Sequence, residues 1–220
     1  MTVDFRVYLI TDRRMSSGGD LPGAVTKALE GGVRAVQLRE KDLPARDLFL
    51  LATELRKRTA EYGARLFIND RADVARAVGA DGVHLGVRSI PPREARRLLG
   101  PKAVIGCSTH NALELRQARE EGADFVTFGP VYPTPSKDPF GPPLGVPALA
   151  EACRTAGIPV FALGGVGPGN LEEVAGAGCF GVALISGIIS AADPRAAAAL
   201  LTEYFARGPL RAEVEREGAS

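Results

Sequence analysis

Phe125–Lys137 reads FVTFGPVYPTPSK and changes character partway along. Phe125–Gly129 is a run of apolar and β-branched residues, the composition of a buried strand. Gly129, Pro130, Pro133 and Pro135 break that strand and stiffen the loop after it. The loop then supplies two hydroxyls and an ammonium, Thr134, Ser136 and Lys137. A strand opening into a rigid loop of that kind is suited to holding an anion over the end of a sheet.

The same alternation recurs through the chain. Apolar runs lie at Val7–Thr11, Ala35–Arg39, Leu66–Asn69, Gly82–Gly86, Val104–Ser108, Phe125–Gly129, Pro159–Gly164 and Gly181–Gly187. They are nearly continuous in apolar character, as in strands covered on both faces. Helix-period stretches come after them at Pro22–Glu30, Ala45–Tyr62, Arg71–Val78, Pro92–Leu99, Ala112–Glu121, Pro147–Ala156, Asn170–Ala177 and Pro194–Phe205. Asn111 and Asp193 read as helix N-caps, and glycines such as Gly63, Gly79 and Gly122 stand where helices end. Strand then helix, eight times over, predicts an α/β fold: a single-domain (β/α)8 TIM barrel over residues 1–207, with Gly208–Ser220 as a charged tail. An open, doubly wound sheet would favour a GxGxxG turn after the first strand, and that position reads TDRRMSSGGD.

A chain of 220 residues, 45% of them apolar, suffices for one sizeable core. With 27 basic and 26 acidic residues the formal charge is +1, which argues against a nucleic-acid or membrane partner and leaves room for a small anionic substrate. No apolar run reaches the ~18 residues of a membrane span. The N-terminus lacks a signal pattern, and Cys107, Cys153 and Cys179 are too widely spaced for a zinc or disulfide framework. The expectation is a cytoplasmic protein, with self-association into a homo-oligomer left open.

In such barrels the chemistry sits at the C-terminal ends of the strands. Reading off those ends implies two anion sites. Gly164, Gly165, Ser186 and Gly187, after the last two strands, precede helix N-termini whose N–H groups attract phosphate. A second cluster gathers Arg39, Lys41 and Lys137 with the neutral donors Gln37, Asn69 and Ser108 around Asp70. It reads either as a magnesium-bridged diphosphate site or as an ion-pair network, Asp70–Arg71 and Glu40–Lys41, that stiffens the mouth; composition does not separate the two. His84 reads as an interior hydrogen-bonded residue, and His110 as a cap or brace.

The motifs VQLREK (Val36–Lys41), NDR (Asn69–Arg71), DGVHLG (Asp81–Gly86), IGCSTH (Ile105–His110), GPVYPTPSK (Gly129–Lys137), ALGGV (Ala162–Val166) and GVALISGI (Gly181–Ile188) occur in that order. On them the chain resembles the thiamine phosphate synthase family, which includes the thiazole tautomerases. The resemblance implies an Mg2+-dependent transferase joining hydroxymethylpyrimidine pyrophosphate to a thiazole phosphate. It implies that Gln37, Leu38, Arg39, Glu40, Lys41, Asn69, Ser108 and Lys137 hold the pyrimidine substrate. Thr134, Pro135, Ser136, Gly165, Ile185 and Ser186 would hold the thiazole phosphate. Lys137, Ser108 and Asp70 would be catalytic, and Asp70 would bind the metal.

Two positions depart from that pattern. Where the synthases carry Gln-Glu-Asp, with the Asp as second metal ligand, this chain has Val87, Arg88 and Ser89; Ser89 brings no charge to that place. The tautomerase branch also lacks this acid, but it carries a histidine after the strand-six glycine, where this chain has Pro130. A tautomerase acting on a carboxythiazole phosphate and a non-catalytic phosphate binder are the alternatives.

Overall fold

A computed structural model describes residues 3–134 and 142–207. Eight parallel strands close into a barrel in sequence order: β1 Val7–Ile10, β2 Ala35–Leu38, β3 Arg65–Asn69, β4 Gly82–Leu85, β5 Val104–Thr109, β6 Phe125–Phe128, β7 Val160–Leu163 and β8 Gly181–Leu184. Closure is made by β1 against β8, with Tyr8 opposite Ala183. Helices α1 Leu21–Glu30, α2 Ala45–Glu61, α3 Ala72–Val78, α4 Pro92–Leu99, α5 Ala112–Glu120, α6 Gly145–Thr155, α7 Leu171–Gly176, α8 Ser186–Ile189 and α9 Pro194–Arg207 connect and surround the strands. The predicted TIM barrel is the observed fold. The expected tail, 208–220, lies outside the described residues.

Local chemistry sets the helix boundaries. Asn111 Oδ1 accepts from Glu114 N at 2.9 Å and Asp193 Oδ1 from Arg195 N at 3.0 Å, so both expected N-caps form. Gly63, Gly79, Gly100, Gly122, Gly157 and Gly178 all take positive φ just beyond helices. One boundary differs from the sequence expectation. The eighth apolar run was expected to stay extended to Gly187, yet β8 ends at Leu184 and Ser186–Ile189 is helical. Ile189 N and Ser190 N bond back to Ile185 O and Ser186 O, at 3.0 and 3.1 Å. The β-branched isoleucines read as strand, but Ile188 and Ile189 are buried as a helical turn.

Strand side chains alternate between two cores. Leu9, Val36, Leu66, Val83, Ile105 and Val126 point outward to a shell of helix side chains. Tyr8, Phe67, Phe125 and Phe161 point inward, and Phe5, just before β1, closes the cluster from below. Phe5 sits 5.2–5.7 Å, centroid to centroid, from all four rings. Each well-placed aromatic pair contributes about 0.5–1.5 kcal/mol beyond its buried area. Gly106 makes the packing fit: a Cβ there would lie 2.4 Å from Phe125 Cζ and 2.6 Å from His84 Nδ1. The floor of the barrel is thereby a solid aromatic plug, and chemistry is confined to the opposite end.

Candidate active site

The inward-facing residues near the C-terminal ends of the strands are polar. Gln37, His84 and Thr127 are buried there, while Asn69 and Ser108 are half-buried. Gln37 Nε2 donates to Tyr8 Oη at 3.1 Å, and His84 Nε2 lies 3.1 Å from Ser108 Oγ. Burial is the main force holding the His84 imidazole at a pKa of about 3, with Asp70 opposing and Arg39 reinforcing it. It is neutral at physiological pH. This matches the interior hydrogen-bonded role expected of His84. His110 lies at the edge of the mouth, and its Nδ1 is 2.9 Å from Glu114 Oε2, at the start of α5, the brace expected of it.

Asp70 is the centre of the rim. Its φ of 61° is unusual for a side chain other than glycine's. That backbone turns the carboxylate between β3 and β4. Ser89 Oγ donates to Asp70 Oδ1, Gly86 N approaches the same oxygen at 3.5 Å, and Asn69 Nδ2 donates to Oδ2 at 3.0 Å. Ser89 therefore meets the site through Asp70, as a donor clipping the β4–α4 loop to it. The ion pairs that would have made this a stiffening network do not form. Arg71 pairs with Asp73 at 2.6 Å, and Glu40 pairs with Arg13 at 3.1 Å.

The cations behave differently. Among the described residues, Arg39, Lys41 and Arg88 make no ion pair. Partial desolvation, then the charge of Arg39, and finally that of Arg88 lower the Lys41 pKa, while Asp70 pulls the other way. Lys41 thus lies within electrostatic reach of two further positive groups and of one acid. Such a cluster is unfavourable until an anion neutralises it.

Glu40 and Leu38 are placed otherwise than as direct contacts. The Glu40 carboxylate is buried and accepts from Thr11 Oγ1 at 2.7 Å and from Arg13 N at 3.0 Å. Thr11 Oγ1 in turn accepts from Arg39 N at 2.9 Å, so Glu40 fixes the backbone that presents Arg39. Leu38 is fully buried in the outer core. Sequence reasoning missed Arg13 and Tyr8 in this assembly. Their signals were faint: an arginine in a loop, and the one inward-facing strand aromatic with a polar tip.

On the other side of the mouth, Gly164 and Gly165 take φ of 96° and 65°, and the β6 loop packs on them. A Cβ on Gly165 would lie 2.6 Å from Tyr132 Cβ, so only glycine lets the two loops meet this closely. Tyr132 Oη donates to Glu173 Oε2 at 2.6 Å, tying the loop to α7. Ile185 is half-buried and Ser186 exposed at the end of β8. Thr134 is described and half-buried. Pro135, Ser136 and Lys137 lie outside the described residues.

The fold and rim define a class: a (β/α)8-barrel enzyme whose open end collects positive charge around one carboxylate, for small phosphorylated substrates. Within that class, the chain belongs to the thiamine monophosphate synthase family, whose model matches residues 7–188. A protein of Geobacter sulfurreducens, provisionally named thiamine-phosphate synthase, is 56% identical over 193 residues, covering 88% of this chain and 91% of that one. The thiamine-phosphate synthase of Roseiflexus sp. (strain RS-1) is 44% identical, covering 91% of this chain and 85% of its own. The solved thiamine phosphate pyrophosphorylase of Pyrococcus furiosus superposes with a TM-score of 0.81 at 37% identity, covering 90% of this chain and 94% of that one.

Proposed function

We propose that the barrel mouth binds hydroxymethylpyrimidine pyrophosphate and a thiazole phosphate together and joins them, releasing thiamine phosphate and pyrophosphate. The observation that carries this reading is the rim: Lys41 within electrostatic reach of Arg39, Arg88 and Asp70, with none of the three cations in an ion pair among the described residues. In this reading those cations, with Lys137, hold the diphosphate, and Gln37, Asn69 and Ser108 present neutral donors to the same substrate. The glycine turn at Gly165 with Ile185, Ser186 and the Thr134–Ser136 loop hold the thiazole phosphate.

Asp70 fits a magnesium ion in one arrangement. No group of three or more His, Cys, Asp or Glu that could cage a metal exists among the described residues, so the diphosphate and water would supply most ligands. When bound, the ion would add positive charge against the departing diphosphate. The residues of the chain do the rest. Arg39, Lys41 and Lys137 stabilise the negative charge that builds as the carbon–oxygen bond breaks, the electrostatic contribution that usually dominates. The aminopyrimidine ring stabilises the methylene cation that remains, and the thiazole nitrogen captures it. No protein nucleophile is needed. Loop packing between Tyr132 and Gly165 helps exclude water, which would trap that cation.

A tautomerase needs a general base. His84 has both ring nitrogens engaged and is held neutral, and His110 is turned to Glu114. The three free cysteines support the cytoplasmic setting. Incubating both substrates with magnesium should yield thiamine phosphate and pyrophosphate in equal amounts. Turnover of a carboxythiazole phosphate alone, without condensation, would overturn the proposal in favour of the isomerase.

A further inference from the structure

Four polar side chains cross the upper barrel in single file. Gln37 Nε2 donates to Tyr8 Oη at 3.1 Å, Tyr8 Oη lies 3.4 Å from His84 Nδ1, and His84 Nε2 lies 3.1 Å from Ser108 Oγ. Tyr8, Gln37 and His84 are 0%, 1% and 2% exposed, whereas Ser108 is half-buried and opens on the mouth. The chain therefore runs through the interior and opens most widely at Ser108.

Its direction is set by the end of the Gln37 amide that faces the phenol, the Nε2 donor. A phenol has one proton. With its oxygen accepting from Gln37, Tyr8 directs that proton to His84 Nδ1. A neutral imidazole accepting at Nδ1 carries its hydrogen on Nε2, which then donates to Ser108 Oγ. Ser108 Oγ, already an acceptor from below, has its own proton left for the mouth. We infer that Tyr8 is a positioning residue: through His84 it sets the direction of the Ser108 hydroxyl, so that Ser108 meets the bound pyrimidine substrate as a hydrogen-bond donor. The identity of that ligand rests on the synthase reading; the order of donors does not.

Burial supports the arrangement, because it keeps His84 from taking the second proton that would end the polarity of the chain. Hydrogen bonds aligned head to tail in a low-dielectric interior also strengthen one another. The opposite order is chemically complete as well: a Gln37 carbonyl accepting from Tyr8, Nδ1–H donating to the phenol oxygen, and Ser108 donating down to Nε2. The two orders differ in one observable, the His84 tautomer.

The chain has only two histidines, His84 and His110, so long-range proton–nitrogen correlation spectra of 15N-histidine-labelled protein can read it directly, with His110→Gln giving the assignment. The expected result is the Nε2–H tautomer of His84 in the unliganded wild type, lost to a mixture in Tyr8→Phe. In the condensation assay, Tyr8→Phe and Ser108→Ala should each lower kcat by about tenfold, with KM for the thiazole phosphate unchanged. The double variant should be no slower than Ser108→Ala alone, since both substitutions remove one interaction. An Nδ1–H tautomer in the wild type, or additive losses in kcat, would overturn the inference. Should Tyr8→Phe fail to fold, the wild-type spectrum still decides. A wild type that forms no thiamine phosphate would sink the synthase reading and leave the spectrum, recorded without substrate, to judge the donor order.

Discussion

Below Gly106 the barrel interior is aromatic; above it the interior is polar. The lower half packs Phe5, Tyr8, Phe67, Phe125 and Phe161 ring against ring, with no polar atom except the phenol oxygen that reaches upward. The upper half places Gln37, Asn69, His84, Ser108 and Thr127 on β2 to β6, and on β3 and β6 the polar residue follows the aromatic one by two positions, Asn69 after Phe67 and Thr127 after Phe125. One part stores stability and the other gives some up to hold groups in place. The comparison teaches that strand alternation can serve both ends: β3 and β6 each send one inward side chain to the plug and the next inward one to the site, whereas β1 continues apolar with Ile10.

The sharpest contrast between the halves comes from substituting each. Asp70→Ala and Lys137→Ala should lower condensation by about 10²–10³-fold, the scale of removing a group that stabilises developing charge. Their thermal unfolding should stay close to wild type, because Asp70 is exposed at the rim. Phe125→Ala should do the reverse. It removes a fully buried ring that contacts Phe5, Tyr8, Phe67 and Phe161, at a cost of about 3–5 kcal/mol in denaturant unfolding. Activity per folded molecule should fall far less than in Asp70→Ala. A rim variant that unfolds the protein, or a plug variant that kills activity while fully folded, would break the division.

The two halves were not equally legible in the sequence. The plug and the barrel follow from local rules. Runs such as Val160–Leu163, short, apolar and bounded by Pro159 and Gly164, read as strand, and a glycine such as Gly79 tolerates the left-handed turn that ends α3. The inventory of the rim was equally plain, because strand ends are visible once strands are. What could not be read was which side chain each rim residue chooses. Glu40 has Lys41 beside it and takes Arg13, 27 residues earlier, because β1 and β2 are neighbours and the carboxylate turns inward beneath the loop. Asp70 has Arg71 beside it and takes Ser89. Adjacency alone does not choose the partner at a strand end: Asn69 bonds to Asp70, while Arg71 turns to Asp73. The helical turn at Ser186–Ile189 was missed for a related reason: isoleucines are buried equally well by either conformation.

A smaller effect tests the polar half through pH. The folded protein holds the His84 pKa near about 3, while the unfolded chain has the ordinary value near 6.5. Above that value both states leave it neutral and the residue is silent. As pH falls below about 6.5 the unfolded chain binds a proton that the folded one refuses, so stability declines toward the folded value, by at most about 1.4 kcal/mol per pH unit. His84→Gln should lose this component of the acid-side slope between pH 6.5 and 4, measured as denaturant midpoints across that range. An unchanged slope would mean that His84 already accepts a proton in the native barrel, and the polar half is wetter than its burial indicates.

The smallest expected effect concerns Thr127, which faces the mouth side of Phe125 on β6. Its Oγ1 is buried and has no hydrogen-bond partner among the described residues, while Thr109 Oγ1 donates to the Thr127 carbonyl at 3.0 Å. An unmet buried hydroxyl costs about 1–3 kcal/mol, and valine has the same shape without it. Thr127→Val should therefore raise stability by about 1 kcal/mol, since the carbonyl bond from Thr109 is untouched. Register places Thr127 opposite Ser108, one strand over, so the substitution also asks where the polar half ends. If stability rises and the KM of the pyrimidine substrate holds, the boundary of the working surface runs between these two neighbours. If stability falls instead, the hydroxyl has a partner in solution, and the working surface extends one strand further around the barrel than the hydrogen bonds of the described residues indicate.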